Sequence, residues 1–267
     1  MNGASEDPTL PRKAKHLPPR KKSEKDIEAY IEDGAKIGET AEIGPFAYVF
    51  SGSKIGRGSI VGSHCIIGHP TKMELQGSDF SGSSTKAAEF RLKDPATVIG
   101  EASIIRSGAI IYSHVNIDRE LHTGHNVLIR EHVNLGKDCV VGTQAILDGY
   151  IRMGDKSMVQ SQCYITQCVS VGRGVFIAPG CIFMDNKSIV LGEGLVKTTV
   201  EDYARIGGGT KVLPGVTIGK YALIGAGSVV TGNVPSKALA YGVPAKVKRF
   251  QSDKEIDKYV TSIEGWQ

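Results

Sequence analysis

Two histidines, His122 and His125, stand on either side of Thr123 in the stretch HTGH. Histidine is the side chain whose ordinary pKa lies nearest neutrality, so it can take a proton from an attacking amine or hydroxyl. Thr123 itself interrupts a long series of aliphatic residues, and breaks in a local rule collect at functional sites. The residues alone leave a second reading open: Thr123 bonds a backbone group and the histidines are merely exposed. Five cysteines, an odd number without C-x-x-C pairs, form no disulfide framework, and a reducing cytoplasm is the expected compartment.

The elements that must hold these residues repeat every six positions. From Ile99 the series runs Ile105, Ile111, Ile117, Thr123, Ile129, Leu135, Val141, Leu147, Met153, Val159, Ile165, Val171, Ile177, Phe183, and only Thr123 is polar. The same hexad occupies Ile31 to Ile67 and resumes from Val200 to Val230. Gly often follows the aliphatic, and a small slot lies four positions after it. Each hexad reads as a short strand and a turn, with Gly where the backbone needs φ > 0 or close approach. Three hexads make one triangular coil. Stacked coils bury one another's apolar slots, giving one all-β parallel solenoid over 26–235.

Cys65, Cys139, Cys163 and Cys181 fall in the small inward slot and read as buried small hydrophobes. His114 and His132 are separated by three hexads, so they should stack on adjacent coils. Two stretches break the hexads, near 70–97 and 184–199, and insertions of that length are candidate walls of a site. The segment 236–267 is a C-terminal extension. In it Ser252 and Glu255 form a capping box ahead of Ile256, Tyr259, Val260 and Ile263 at helical spacing. That short α-helix is expected to cover the open end of the solenoid or to pack on a neighbouring subunit.

Composition agrees. Gly contributes 33 of 267 residues and aromatics only 6%, as a six-residue repeat with one aliphatic and one small inward residue requires. The net charge of +4 belongs to residues 1–25, where seven basic side chains face three acids; this Pro-rich tail is expected to be disordered. The remainder is neutral and lacks a basic stripe, which argues against a nucleic-acid partner. No apolar run approaches the roughly 20 residues of a membrane span, and no signal segment opens the chain.

One edge of the solenoid is smooth. Coil by coil, the third residue of one hexad is His125, Thr143, Ser161 and Pro179, continuing with Gly208 and Ala226 if the second interruption is looped out. Gly207 and Gly225 stand beside the last two. Five coil steps span about 24 Å, the length of an extended pantetheine arm. The edge therefore suits coenzyme A, with Thr143, Ser161, Gly207, Gly208, Gly225 and Ala226 along it and the thioester near His125.

The stretch VLPGVTIGKYALIGAGSVVTGNVP, followed by YGVPAKVKRF, closely resembles the end of hexapeptide-repeat acyltransferases, and IRSGAIIYSHVNIDRELHTGHNVLIRE is similar to the branch that acylates nucleotide-linked amino sugars. The resemblance covers about residues 31–250. It implies a left-handed parallel β-helix, a homotrimer binding acetyl-CoA as co-substrate in clefts between subunits, and N-acetylation of a nucleotide-amino sugar for surface polysaccharide. It places the catalytic base at His125. Asn126 would orient that base, while His122, Arg130 and Glu131 would bind the sugar nucleotide. Relatives often carry Thr-Asn-Asp where this chain has Met184-Asp185-Asn186, a departure at the amine-binding residues Asp185 and Asn186.

Other readings stay open beside this one. Some relatives rely on the substrate's own groups instead of a base. Transfer to oxygen, including the lipid A pathway that residues 67–98 resemble, needs the same machinery. A gamma-class carbonic anhydrase shares this fold, and His64 and His69 have the H-x4-H spacing of two of its zinc ligands. No His lies between His16 and His64 to supply the third, so no metal is expected. A non-catalytic β-helix would need neither the smooth edge nor His125.

Overall fold

The computed structural model describes residues 28–75, 97–186 and 195–265. The basic segment 1–25, most of the first interruption and half of the second lie outside the described residues. Nearly every hexad forms a two-residue strand, and the strands stack into three parallel sheets. Sheet 1 has 10 strands from Tyr30–Ile31 to Val229–Val230, and sheet 2 has nine from Lys36–Ile37 to Thr217–Ile218. Sheet 3 has 11, beginning at Glu42–Ile43. The chain visits sheets 1, 2 and 3 in turn, so each coil has a 1–2, a 2–3 and a 3–1 corner.

The register between coils is strict: Ile111 pairs with Ile129, Ile117 with Leu135 and Thr123 with Val141. It places the hexad aliphatics in one continuous core, with Ile105, Ile111, Ile129 and Ile177 fully buried. Cys65, Cys139, Cys163 and Cys181 share that core. Their thiols donate to corner carbonyls, as Cys163 does to Ala178 at 3.2 Å. Burial pushes the Cys139 thiol up to about 12.

The two reasons for Gly after the aliphatic separate in the structure. A Cβ on Gly100 would lie 2.7 Å from the Arg119 amide nitrogen, so close approach of the next coil demands Gly there. The left-handed residue comes two positions later and is often not Gly, as at Asn126 with φ 55°.

The interruptions are absorbed without disturbing the stack. Val61 pairs with Ile105, across the first of them, and Ile177 pairs with Ile206, across the second. Both leave from the end of a sheet 1 strand, Ile66–His69 or Ile182–Phe183, and return into sheet 2. They emerge from the same 1–2 corner. Neither consumes a hexad, so Gly208 follows Pro179 in the file.

The C-terminal extension departs from expectation. Strand Ala238–Gly242 adds in parallel to Leu223–Ile224, and Ala245–Phe250 pairs with it antiparallel, so a hairpin finishes sheet 3. The helix Asp253–Glu264 has the Ser252–Glu255 capping box, but it covers no open end and packs on its own solenoid. It runs back along the 2–3 corner, where Ile256 and Ile263 are buried. Tyr259 donates its hydroxyl to the Gly174 carbonyl at 2.8 Å, and Glu264 accepts from Tyr203 at 2.6 Å and Arg173 at 2.8 Å. That corner supplies rings and main-chain acceptors along several coils, which an end cannot.

Acid should loosen this staple. The Arg249 fork, with the Ser252 bonds of the capping box, holds Glu255 down to about 2, and the Tyr203 hydroxyl lowers Glu264. A depressed carboxylate contributes stability that is present above its unfolded pKa and lost as pH falls through the folded one. Between about pH 4.5 and pH 2 the wild type should lose Tm more steeply than Glu255→Gln, as differential scanning fluorimetry across that range would read.

Candidate active site

The hydroxyl of Thr123 has a structural use. It accepts the Arg106 N–H at 2.9 Å, so the polar break in the aliphatic series satisfies a main-chain donor of the coil beneath. Of the two readings that the residues left open, the backbone bond is present, and His122 and His125 are both exposed.

The smooth file exists as a stacked ladder at the 3–1 corner. Gln144 N–H donates to the His125 carbonyl at 2.9 Å, Gln162 to Thr143 at 2.9 Å and Gly180 to Ser161 at 3.0 Å. Gly209 then donates to Pro179 at 2.9 Å and Gly227 to Gly208 at 2.8 Å. His125, Thr143, Ser161, Pro179, Gly208 and Ala226 are thus successive rungs. Gly207 and Gly225 lie behind the last two, packed against the Ala226 backbone and the Tyr241 side chain, while Gly208 faces open space apart from the Pro179 carbonyl and the Ala178 methyl. The edge is a shallow cradle with a closed floor. At its upper end stands the hairpin, where Lys248 Nζ is 5.0 Å from the Tyr241 ring and Lys246 pairs with Tyr241.

His125 stands within the ladder, one rung above Ser107, whose carbonyl accepts the Asn126 N–H at 3.0 Å. The His125 amide donates to Thr143 Oγ1 at 3.3 Å, and among the described residues nothing hydrogen-bonds its imidazole. Asn126 turns away through its left-handed backbone, and its side chain lies over Gly108, so it does not touch the imidazole it was expected to orient. His122 projects from sheet 3 just before the corner.

Arg130, Glu131, Asp185 and Asn186 are not there. They occupy the 1–2 corner, on the opposite edge of sheet 1. The Arg130 guanidinium forks onto Glu131 at 2.7 and 3.1 Å, donates to Asp148 at 2.9 Å and lies 5.9 Å from the Tyr112 ring. Tyr164 donates to the other Asp148 oxygen at 2.6 Å. Burial and Asp148, with Asp185 beyond it, push Tyr164 up to about 12. Within one chain the candidate base and the candidate acceptor-binding residues are therefore separated by the width of sheet 1. Sequence reading missed Asp148 and Tyr164, although Asp148 stands one coil above Arg130 in the same corner file.

His64 and His69 are also divided. His64 stacks on Phe46 at 4.8 Å at the 3–1 corner, whereas His69 lies 4.7 Å from Tyr112 at the 1–2 corner. Their H-x4-H spacing spans a whole strand, and they share no ligand site. His114 and His132 stack at 5.0 Å, as their spacing requires. Glu74, in the first turn of the first interruption, is 3.2 Å from His114 Nε2 and accepts from Ser113 at 2.7 Å.

Thr123→Val should deprive the part-buried Arg106 amide of its acceptor and cost about 1 kcal/mol in denaturant unfolding, with the coil register intact.

Comparisons with known proteins find similar sequences and folds. The family model for the bacterial transferase hexapeptide (six repeats) matches residues 34–69 and 197–232. The chain is 44% identical over 63 residues to a galactoside O-acetyltransferase of Lactococcus lactis, covering 24% of this chain and 30% of that one. It is 47% identical over 58 residues to a dTDP-3-amino-3,6-dideoxy-alpha-D-galactopyranose 3-N-acetyltransferase of Aneurinibacillus thermoaerophilus, covering 22% and 30%. The chain thus spans less than a third of either relative. Among solved structures, a UDP-N-acetylglucosamine acyltransferase from Campylobacter jejuni superposes with a TM-score of 0.55 at 20% identity, covering 88% of this chain and 81% of that one. The Arabidopsis UDP-N-acetylglucosamine acyltransferase gives 0.53 at 18%, covering 91% and 77%. The fold is the left-handed β-helix of hexapeptide repeats, and the family model matches its repeats over these two stretches.

Proposed function

We propose that this protein is an acyl-CoA-dependent acyltransferase whose first candidate reaction is N-acetylation of a nucleotide-linked amino sugar. One observation carries the reading: an exposed histidine, its imidazole unengaged among the described residues, stands in a ladder of small residues that runs on for about 24 Å above it. Acetyl-CoA, as substrate, would lie along Thr143, Ser161, Gly207, Gly208, Gly225 and Ala226. Its phosphates would meet Lys246 and Lys248 at the hairpin. The thioester would then reach His125.

The chemistry asks little more of the chain. An ammonium is not a nucleophile, so a base must remove its proton as the nitrogen attacks the thioester carbonyl. His125 fills that role, and main-chain N–H groups of a corner can steady the oxyanion as the thiolate leaves. The acceptor would be read by His122 and by the Arg130–Glu131–Asp148 network with Asp185 and Asn186. Since that network sits at the other edge of sheet 1, the working site joins two copies. The outward face of sheet 1 supports this: Ile66, Ile110, Leu128, Ile146, Tyr164 and Ile182 form an apolar stripe, whereas sheet 2 presents Asn116, Asn134 and Arg152. A homotrimer that buries the stripe brings the His125 edge of one copy toward the partner subunit's 1–2 corner.

O-acyl transfer is the second reading. The solved neighbours are named for acyl transfer on UDP-N-acetylglucosamine, and one relative is an O-acetyltransferase. His125 would serve an attacking hydroxyl equally well. Among the described residues no helix is long and apolar enough to cross a membrane, and none group as metal ligands. The cytoplasm, where acetyl-CoA and nucleotide sugars are made, is the proposed compartment.

Four measurements test the reading. A screen of acetyl-CoA against amino-sugar nucleotides and their hydroxyl counterparts, following free thiol, should give turnover with an amine acceptor. No thermal stabilisation by millimolar coenzyme A would sink the enzyme reading altogether. His125→Ala should lower kcat by ~10²–10⁴ with little change in KM for acetyl-CoA, whereas an unchanged rate would mean substrate-assisted catalysis. Gly208→Leu, whose Cβ requires the Pro179 carbonyl to give by a few tenths of an ångström, should instead raise KM for acetyl-CoA and leave the acceptor KM alone.

A further inference from the structure

The two ends of the solenoid are unlike. The C-terminal end is finished by the hairpin Ala238–Phe250, but among the described residues nothing covers the N-terminal end. Its three strands, Tyr30–Ile31, Lys36–Ile37 and Glu42–Ile43, are each the terminal strand of a sheet. Tyr30 and Glu32 donate upward to Ala47 and Val49 at 2.8 and 2.9 Å. In a parallel ladder alternate residues bond opposite neighbours, so the main-chain groups of Ile31, and likewise Ile37 and Ile43, face out of the open end. The apolar interior is open there too: Ile31 is 43% exposed, where its counterpart one coil up, Val49, is 0% exposed. Tyr30 and Phe46 are exposed beside it. Repeat proteins need a cap at such an end, and an uncovered strand edge invites pairing.

The rim is charged with one sign. Glu28, Glu32, Asp33, Glu39 and Glu42 surround the opening against a single Lys36. Glu32 is already used by the Tyr48 hydroxyl and the Ser51 amide. Immediately before the first coil comes the segment 1–27, outside the described set, and Arg12, Lys13, Lys15, Arg20, Lys21, Lys22 and Lys25 lie in it. The stretch from Arg20 to Ile27 can reach up to about 28 Å, farther than the six-residue side of a coil. Tethering of this kind sets an effective concentration in the millimolar range.

We propose that the open N-terminal end is a docking surface for the chain's own N-terminal segment. Arg20, Lys21, Lys22 and Lys25 meet the rim of Glu28, Asp33, Glu39 and Glu42, and the segment covers Ile31, Ile37 and Ile43. This surface is separate from the acyl-transfer reading and stands or falls without it. A second copy stacked end to end is the competing occupant. Two open ends meeting would form an isologous dimer, whose population rises with protein concentration.

Hydrogen exchange of the full-length protein decides the matter. The amides of Ile31, Ile37 and Ile43 face the opening, so their protection reports on whatever covers it. Reversing the segment's charges (Arg20→Glu, Lys21→Glu, Lys22→Glu, Lys25→Glu) should speed their exchange at least tenfold at low salt, while amides between Ile99 and Val230 stay as in the wild type. In the wild type, raising the salt to about 0.5 M NaCl should have the same effect, since contacts between exposed charges are screened. Adding Glu28→Lys, Asp33→Lys and Glu39→Lys to the reversed segment should restore protection. Unchanged exchange in the reversed variant, or no restoration in the double swap, overturns the proposal. Protection that rises with protein concentration overturns it in favour of a second copy.

Discussion

Everything in this molecule depends on one register, the parallel pairing of each strand residue with its counterpart three hexads on. Strands two residues long have no stability of their own. They persist because each inward aliphatic rests on the one below it, as Ile111 rests between Ile67 and Ile129. A slip of one residue would turn every such side chain outward and bring polar neighbours into the core. The register also governs where variation is tolerated. Extra residues can leave only at a corner, and both interruptions depart where a sheet 1 strand ends and rejoin without disturbing the next pairing.

This constraint distributes the chemistry. A side chain's level along the axis is set by its coil and its direction by its place in the hexad, so function appears as vertical files. The 3–1 file is made of small residues, with His125 standing among them above Ser107. The 1–2 file is aromatic and charged, from Phe50, His69 and Tyr112 to Arg130 and Asp148. The two cannot meet in one chain because a rigid apolar sheet lies between them. In the assembly proposed above, that sheet would be buried and the separation would become the span of a shared cleft.

Periodicity made the coils, the inward slots and the smooth file readable from the residues alone, because each depends only on position within the hexad and within the coil. It could not say which of three equivalent corners a residue occupies relative to another. Arg130 follows His125 closely in the chain, yet a strand separates them. His64 and His69 were misleading for the same reason. Thr123 looked functional as a break in the pattern, but its partner is the Arg106 amide of the preceding coil, a contact that composition cannot show. The helix was legible from its capping box, whereas its docking site was not. The Tyr203, Gly174 and Arg173 groups that receive it lie several coils earlier in the chain.

The contrast between the two files argues for a division of labour. Every nitrogen of the Arg130 guanidinium donates to a carboxylate, and both Asp148 oxygens are engaged. A network so fully satisfied is costly to rearrange, because any displaced charge would be left partly desolvated. It suits a surface that holds a fixed shape against a ligand. His125 is the opposite case, anchored through its main chain while its imidazole is exposed. In the proposed reaction the base must exchange its proton in every cycle, and an exposed ring can pass it to solvent. The stiffness of the solenoid is what allows this freedom. Bonds from the His125 main chain to the coil above, and from the Asn126 N–H to Ser107 below, fix this corner, so the side chain can move without the corner losing its geometry.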